Sequence, residues 1–197
     1  MTRAAGSTSI QRLLALLNYL YLLLMMAVLA GIITAAMVLQ YARGELPCPL
    51  CLLQRVAMFG VCFGIMQNFR RGFSYQNTGF SLLFTILLLI VSVRQTLLDI
   101  YPRPGHAYIG SAVFGIHMPV WSIIIALCLL GAYAAKLAAL GGDEYLDEAP
   151  PGEFPLVKTL ADILGLYVIA ICAINLVSVF LQCGFNSCHT FGYRLLQ

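Results

Sequence analysis

Long apolar runs alternate with short polar breaks along this chain, and the pattern repeats five times. The runs cover roughly Leu13–Leu39, Leu52–Phe69, Gly79–Leu98, Pro119–Leu140 and Leu160–Leu181. A helix that crosses a bilayer needs about 20 predominantly apolar residues, with a tolerated range of roughly 17–25. Each run predicts one spanning helix, the second extending back to Pro49. The first is longer than the apolar core of a signal peptide, about 7–15 residues, and is expected to be a retained helix. The fold class predicted is all-α integral membrane, a four-helix bundle plus one additional C-terminal transmembrane helix. Residues 1–140 form the four-helix unit, 141–158 an acidic linker, and 159–197 the fifth helix with a cysteine-containing tail.

Composition agrees with this pattern. Of the 197 residues 61% are hydrophobic and 10% charged, against about 25% charged in a typical soluble domain. Mean hydropathy is +0.90. The formal net charge is +3 and the basic residues are scattered, so no clustered basic stripe of the kind nucleic acid requires is present. Lysine and arginine near helix ends set membrane orientation. With the N-terminus in the cytoplasm, Arg3, Arg12, Arg70, Arg71, Lys136 and Lys158 fall inside, while Arg43, Arg103 and Arg194 fall outside. The expected location is a bacterial inner membrane. In this orientation "GGDEYLDEAPPGE" (141–153) is a solvated cytoplasmic segment.

The seven cysteines then sort by depth. Cys62, Cys128 and Cys172 lie inside apolar runs, where a free thiol packs as a small hydrophobe. Cys48 and Cys51 stand at the head of the second run, and Cys183 and Cys188 follow the fifth. Both pairs emerge on the non-cytoplasmic face, which is oxidising in a bacterium-like cell. A Cys-x-x-Cys at a helix N-terminus sits among unpaired backbone N–H groups and the positive end of the dipole. Both features favour the thiolate and make it a better leaving group. Pro47 and Pro49 mark the start of that helix, since proline's missing N–H forfeits nothing in the first turn. Arg55, four residues after Cys51 and seven after Cys48, shares their helix face. It can stabilise a thiolate or the oxygen of a redox ligand, or simply snorkel to the interface. Zinc would need four ligands, and His106, His117 and His189 have spacings that match no common zinc pattern.

Three stretches, "CPLCLLQRVAMFG" (48–60), "QTLLDIYPRPG" (95–105) and "GIHMPVW" (115–121), resemble the disulfide bond formation protein B family, DsbB. The likeness extends over about residues 10–138. It implies a membrane thiol-disulfide oxidoreductase that reoxidises a periplasmic thioredoxin-fold oxidase (DsbA-like) and passes the electrons to a membrane quinone, ubiquinone or menaquinone. It further implies that Cys48 and Cys51 form the redox disulfide, that Cys51 faces the quinone, and that Arg55 assists quinone binding. One departure is large. The family carries a second cysteine pair in a long loop between helices three and four, whereas residues 101–118 contain no cysteine. Cys183 and Cys188 are expected to replace that pair. Gly184 and Asn186 would permit the tight turn such a bond needs.

Two places leave alternatives open. Arg94, about 12 Å of helix rise before Pro102, suits either a quinone site or interface snorkelling. Residues 183–189 also read as Cys-x4-Cys-His, near the c-type haem attachment pattern, with His189 as an axial ligand, which would make the chain an electron-transfer subunit. A non-catalytic structural subunit of a membrane complex is the third expectation.

Overall fold

The computed structural model describes residues 9–44, 46–100, 112–140 and 149–184. Among the described residues five helices are long and apolar enough to cross a membrane: α1 (Ser9–Ala42), α2 (Pro49–Arg71), α3 (Tyr75–Ile100), α4 (Met118–Leu140) and α5 (Pro155–Cys183). A small hairpin, β1 (Ala112–Val113) with β2 (Ile116–His117), precedes α4. Its register pairs Ala112 with His117 and Val113 with Ile116. Phe114 and Gly115 make the turn with positive φ angles, and the indole N–H of Trp121 donates to the Val113 carbonyl at 3.0 Å. The chain is an all-α membrane-spanning bundle, four helices with an added fifth.

The bundle is built around α2. It is the most buried of the five spanning helices and also the least apolar. Protein covers one broad face of it, so it can carry Gln54, Arg55 and Asn68 buried there where a lipid-facing surface would not. Helix α1 turns Ala15, Tyr19, Leu22, Met26, Leu29 and Ile33 inward, the three-and-four spacing of a single buried face.

Helices α2 and α3 make the most extensive contact, α3 also packs on α4, and α5 packs on α1 and α2. Small residues permit the closest approach. A Cβ at Gly60 would overlap the Phe84 ring, and one at Gly64 would overlap the Ser81 hydroxyl and lie 2.7 Å from the Asn77 carbonyl oxygen. This is the glycine-xxx-glycine device of membrane helix pairs. The Ser81 hydroxyl donates to the Val61 carbonyl at 3.1 Å, a bond across the same close contact. The short turn between the two helices is fixed by Asn68, whose side-chain oxygen accepts from the Ser74 N–H at 3.1 Å.

Of the acidic segment, residues 141–148 lie outside the described residues. From Ala149 onward the chain is packed rather than solvated. Ala149 and Pro151 are buried, Tyr19 donates to the Ala149 carbonyl at 3.3 Å, and the Phe154 ring lies 5.9 Å from that of Tyr19. An exposed ion pair, Arg12–Glu153 at 3.1 Å, joins the same two segments. The apolar residues among the acids explain the difference, because they find cover beside α1. Helix α5 accordingly starts at Pro155, inside the range expected for the linker.

Candidate functional site

The first turn of α2 carries the chemistry. Cys48 is its N-cap, with φ −70° and ψ 161°, and Pro49 follows in the first turn. The Cys51 N–H donates to the Cys48 sulfur at 3.1 Å. A cap serves an orphan helix donor in this way, here through sulfur rather than oxygen. Both residues are free thiols, Cys48 buried and Cys51 half-buried. The Cys48 thiol is pushed above its ordinary range, first by its hydrogen bond with Cys51 and then by burial.

Side chains from three helices form a chain that ends on these sulfurs. From α3, the Gln95 amide nitrogen donates to Cys48 at 3.4 Å and to Cys51 at 3.3 Å. From α2, Gln54 donates to the Gln95 side-chain oxygen at 3.0 Å. From α4, the Ser122 hydroxyl donates to the Gln54 side-chain oxygen at 3.3 Å. Cys48, Gln54, Gln95 and Ser122 are all buried.

Arg55, one turn after Cys51, is 7% exposed and does not snorkel. Its guanidinium donates to Gln40 of α1 at 2.6 Å, to Asn175 of α5 at 3.1 Å, and to the Ala36 carbonyl at 3.2 Å. A buried guanidinium has five N–H donors to satisfy, and several neutral oxygens around its plane meet that need. Helix α5 supplies more than Asn175. Its Ser178 bonds the Tyr41 hydroxyl, and Gln182 donates to the Pro47 carbonyl at 2.9 Å. That last bond docks the end of α5 on the residue before Cys48. The next residue, Cys183, is buried and disulfide-bonded. Cys188, His189 and His106 lie outside the described residues.

The other sequence candidates stand elsewhere. Cys62 is a buried free thiol in the core, and Cys128 and Cys172 are free thiols on the outer surface of the bundle. Arg94 is exposed on α3, lining a shallow apolar surface with Leu89, Ile90, Val93, Leu97 and Leu98. Its neighbour Gln95 turns inward to the sulfurs. Among the described residues no group of three or more His, Cys, Asp or Glu side chains could hold a metal ion. Gln40, Gln54, Gln95, Ser122, Asn175 and Gln182 are not reactive residue types; Gln54 and Gln95 fall within the stretches 48–60 and 95–105, and the other four lie in no motif. The signal that marks them is a polar side chain inside or at the edge of an apolar run.

Fold and site together define a multi-pass membrane protein with a Cys-x-x-Cys dithiol at a helix end beside a buried arginine. Residues 18–107 match the family described as "Disulfide bond formation protein DsbB". That segment holds α2, α3 and most of α1, and over it the chain is DsbB-like, with one close cysteine pair, Cys48–Cys51, among the described residues. The disulfide bond formation protein B of Nitrosomonas europaea is 35% identical over 85 residues, which is 41% of this chain and 52% of that protein. The chain thus spans about half the length of the curated relative it matches. No solved structure matches.

Proposed function

We propose that the protein is a membrane thiol-disulfide oxidoreductase that oxidises the dithiol of a periplasmic, DsbA-like thioredoxin-fold protein and passes the electrons to a membrane quinone. The observation behind this reading is the buried Arg55 one turn after a dithiol whose two sulfurs share one amide donor, in a segment that is DsbB-like. The bundle lies in a bacterial inner membrane with its N-terminus in the cytoplasm and the dithiol on the periplasmic side.

The residues suit a quinone. Its oxygens need a hydrogen-bond donor or positive charge near the reacting sulfur, and its ring and tail need apolar cover. Arg55 and Gln95 supply the first, and the lipid-facing ends of the helices supply the second. When bound, a quinone supplies a two-electron acceptor beside the thiols. Cys51, in the first turn of α2, would face it, and Arg55 would orient it. Arg94, on an apolar surface, would serve the approach of the same molecule from lipid.

In thiol–disulfide exchange an incoming thiolate attacks one sulfur of a Cys48–Cys51 disulfide, and the other sulfur leaves carrying the electron pair. Resolution of the mixed disulfide by the partner's second thiol completes the transfer. We assign the Cys183–Cys188 pair as the relay between the partner and Cys48–Cys51, in place of the loop pair this chain lacks. The bond from Gln182 to Pro47 supports that assignment, because it holds Cys183 close to the dithiol loop. The disulfide at Cys183 favours exchange chemistry over a c-type haem, whose thioether would need that sulfur.

The test is oxidation of a reduced DsbA-like protein by the full chain in lipid nanodiscs with ubiquinone or menaquinone. Turnover that Cys48→Ala or Cys51→Ala abolishes is the expected result. Turnover that survives both substitutions, or no quinone-dependent turnover by the intact chain, rejects the reading.

A further inference from the structure

We propose that Gln95 is a catalytic hydrogen-bond donor to the dithiol, and that Gln54 and Ser122 are positioning residues that keep its amide nitrogen toward the sulfurs. This role rests on the thiol chemistry proposed above and names the group that stabilises the departing sulfur.

Gln95 reaches both sulfurs from a different helix, at 3.4 and 3.3 Å. When the Cys48–Cys51 bond is broken by attack on Cys48, a new bond forms between the attacking sulfur and Cys48. The electron pair of the old bond goes to Cys51. The amide N–H then faces a sulfur that has gained negative charge, and a hydrogen bond to an ionised group is stronger than one to a neutral group. Because the same nitrogen also reaches Cys48, it needs no movement to serve attack on Cys51, in which Cys48 is the sulfur that leaves with the electron pair.

An amide can present either its nitrogen or its oxygen, so its orientation must be fixed. The chain of bonds has two consistent polarities. In the first, Ser122 donates to Gln54, Gln54 donates to Gln95, and Gln95 donates to sulfur. In the second, Ser122 donates only to the Met118 carbonyl, also 3.3 Å away, and every later bond reverses. Gln95 would then offer its oxygen to the sulfurs, which repels a thiolate. The structure holds the first polarity. Burial of Gln54, Gln95 and Ser122 makes a lost partner costly, so each link constrains the next. Ser122, on α4, thereby acts on sulfurs it does not touch.

Alkylation of the reduced full chain in detergent, followed cysteine by cysteine by mass spectrometry across a pH range, tests this without quinone or partner. A failure of the proposed turnover would therefore leave this test intact. Gln95→Met keeps the length and apolar bulk of the side chain and removes the donor. Alkylation of the faster of Cys48 and Cys51 is expected to slow about tenfold at neutral pH and to recover in alkali. Ser122→Ala and Gln54→Met are expected to act in the same direction, Ser122→Ala more weakly. An unchanged profile in a folded Gln95→Met protein overturns the proposal. So does slowing by the same factor at every pH, which would mean altered access alone. If Gln95→Met fails to fold, the other two variants decide: unchanged profiles in both overturn the proposal, and neutral-pH slowing that alkali reverses supports it.

Discussion

Asn175, toward the end of the fifth helix, accepts a hydrogen bond from the Arg55 guanidinium at 3.1 Å. The added helix is therefore built into the site and is more than an appended anchor. Asn175→Leu removes one neutral oxygen from a buried cation, and a hydrogen bond to a charged group is worth about 1.5–3 kcal/mol. Quinone-dependent turnover is expected to fall about tenfold or more, with the chain still inserted in the membrane. Steady-state kinetics against quinone concentration check this, and unchanged kinetics would detach Asn175 from the function of Arg55.

Helix α5 docks on the dithiol loop through Gln182. Gln182→Leu leaves the Pro47 carbonyl without the 2.9 Å bond it now accepts. Exchange between the Cys183 disulfide and Cys48–Cys51 is expected to slow, while direct alkylation of Cys51 stays the same. Rapid acid quenching, with electrophoresis of the disulfide-linked species, separates the two effects.

The contact between α2 and α3 should be intolerant of bulk. Gly64→Val places side-chain carbons where the Ser81 hydroxyl and the Asn77 carbonyl now lie. Overpacking of this kind costs about 1–3 kcal/mol. A lower thermal midpoint in detergent is expected, together with loss of the Gln95 contacts to the dithiol, because α3 would move away from α2. A midpoint equal to that of the parent would show that the pair can separate freely.

Cys62 gives the complementary control. It is a buried free thiol packed in the core, and nothing redox-active is assigned to it. Cys62→Ala is expected to retain full turnover with a modest loss of stability, on the order of 1 kcal/mol per buried group removed. Loss of turnover in a folded protein would place a further cysteine, beyond the two proposed pairs, in the electron path.

Much of the architecture is legible in the chain because membrane helices declare themselves by length and apolarity alone. The five apolar runs are five helices, and the extension of the second back to Pro49 is where α2 starts. The dithiol is legible for the same local reason: proline, cysteine spacing and helix end are close together in sequence. The partners of Arg55 are not. Gln40 and Asn175 lie 15 and 120 residues away from it, and only tertiary packing reveals which polar side chains share an interior. The pair Arg94 and Gln95 makes the same point at single-residue resolution. By charge Arg94 draws attention first, yet the helical rotation turns Gln95 to the sulfurs and leaves Arg94 on the outer surface. The packed end of the acidic segment is hidden because Tyr19, which holds Ala149, lies 130 residues before it.

The separation between Arg55 and Asn175 also has a temporal side. Translation delivers the arginine to the membrane long before it delivers the asparagine, 120 residues later. Until then Gln40 and the Ala36 carbonyl, both already made, are the acceptors from this set available to shelter the charge. Insertion in chain order would let α1 shelter the charge first and α5 close the enclosure afterwards. A ribosome-stalled chain that ends before α5 would carry a complete dithiol and an incomplete cation site, so the proposed quinone chemistry would have to wait for α5.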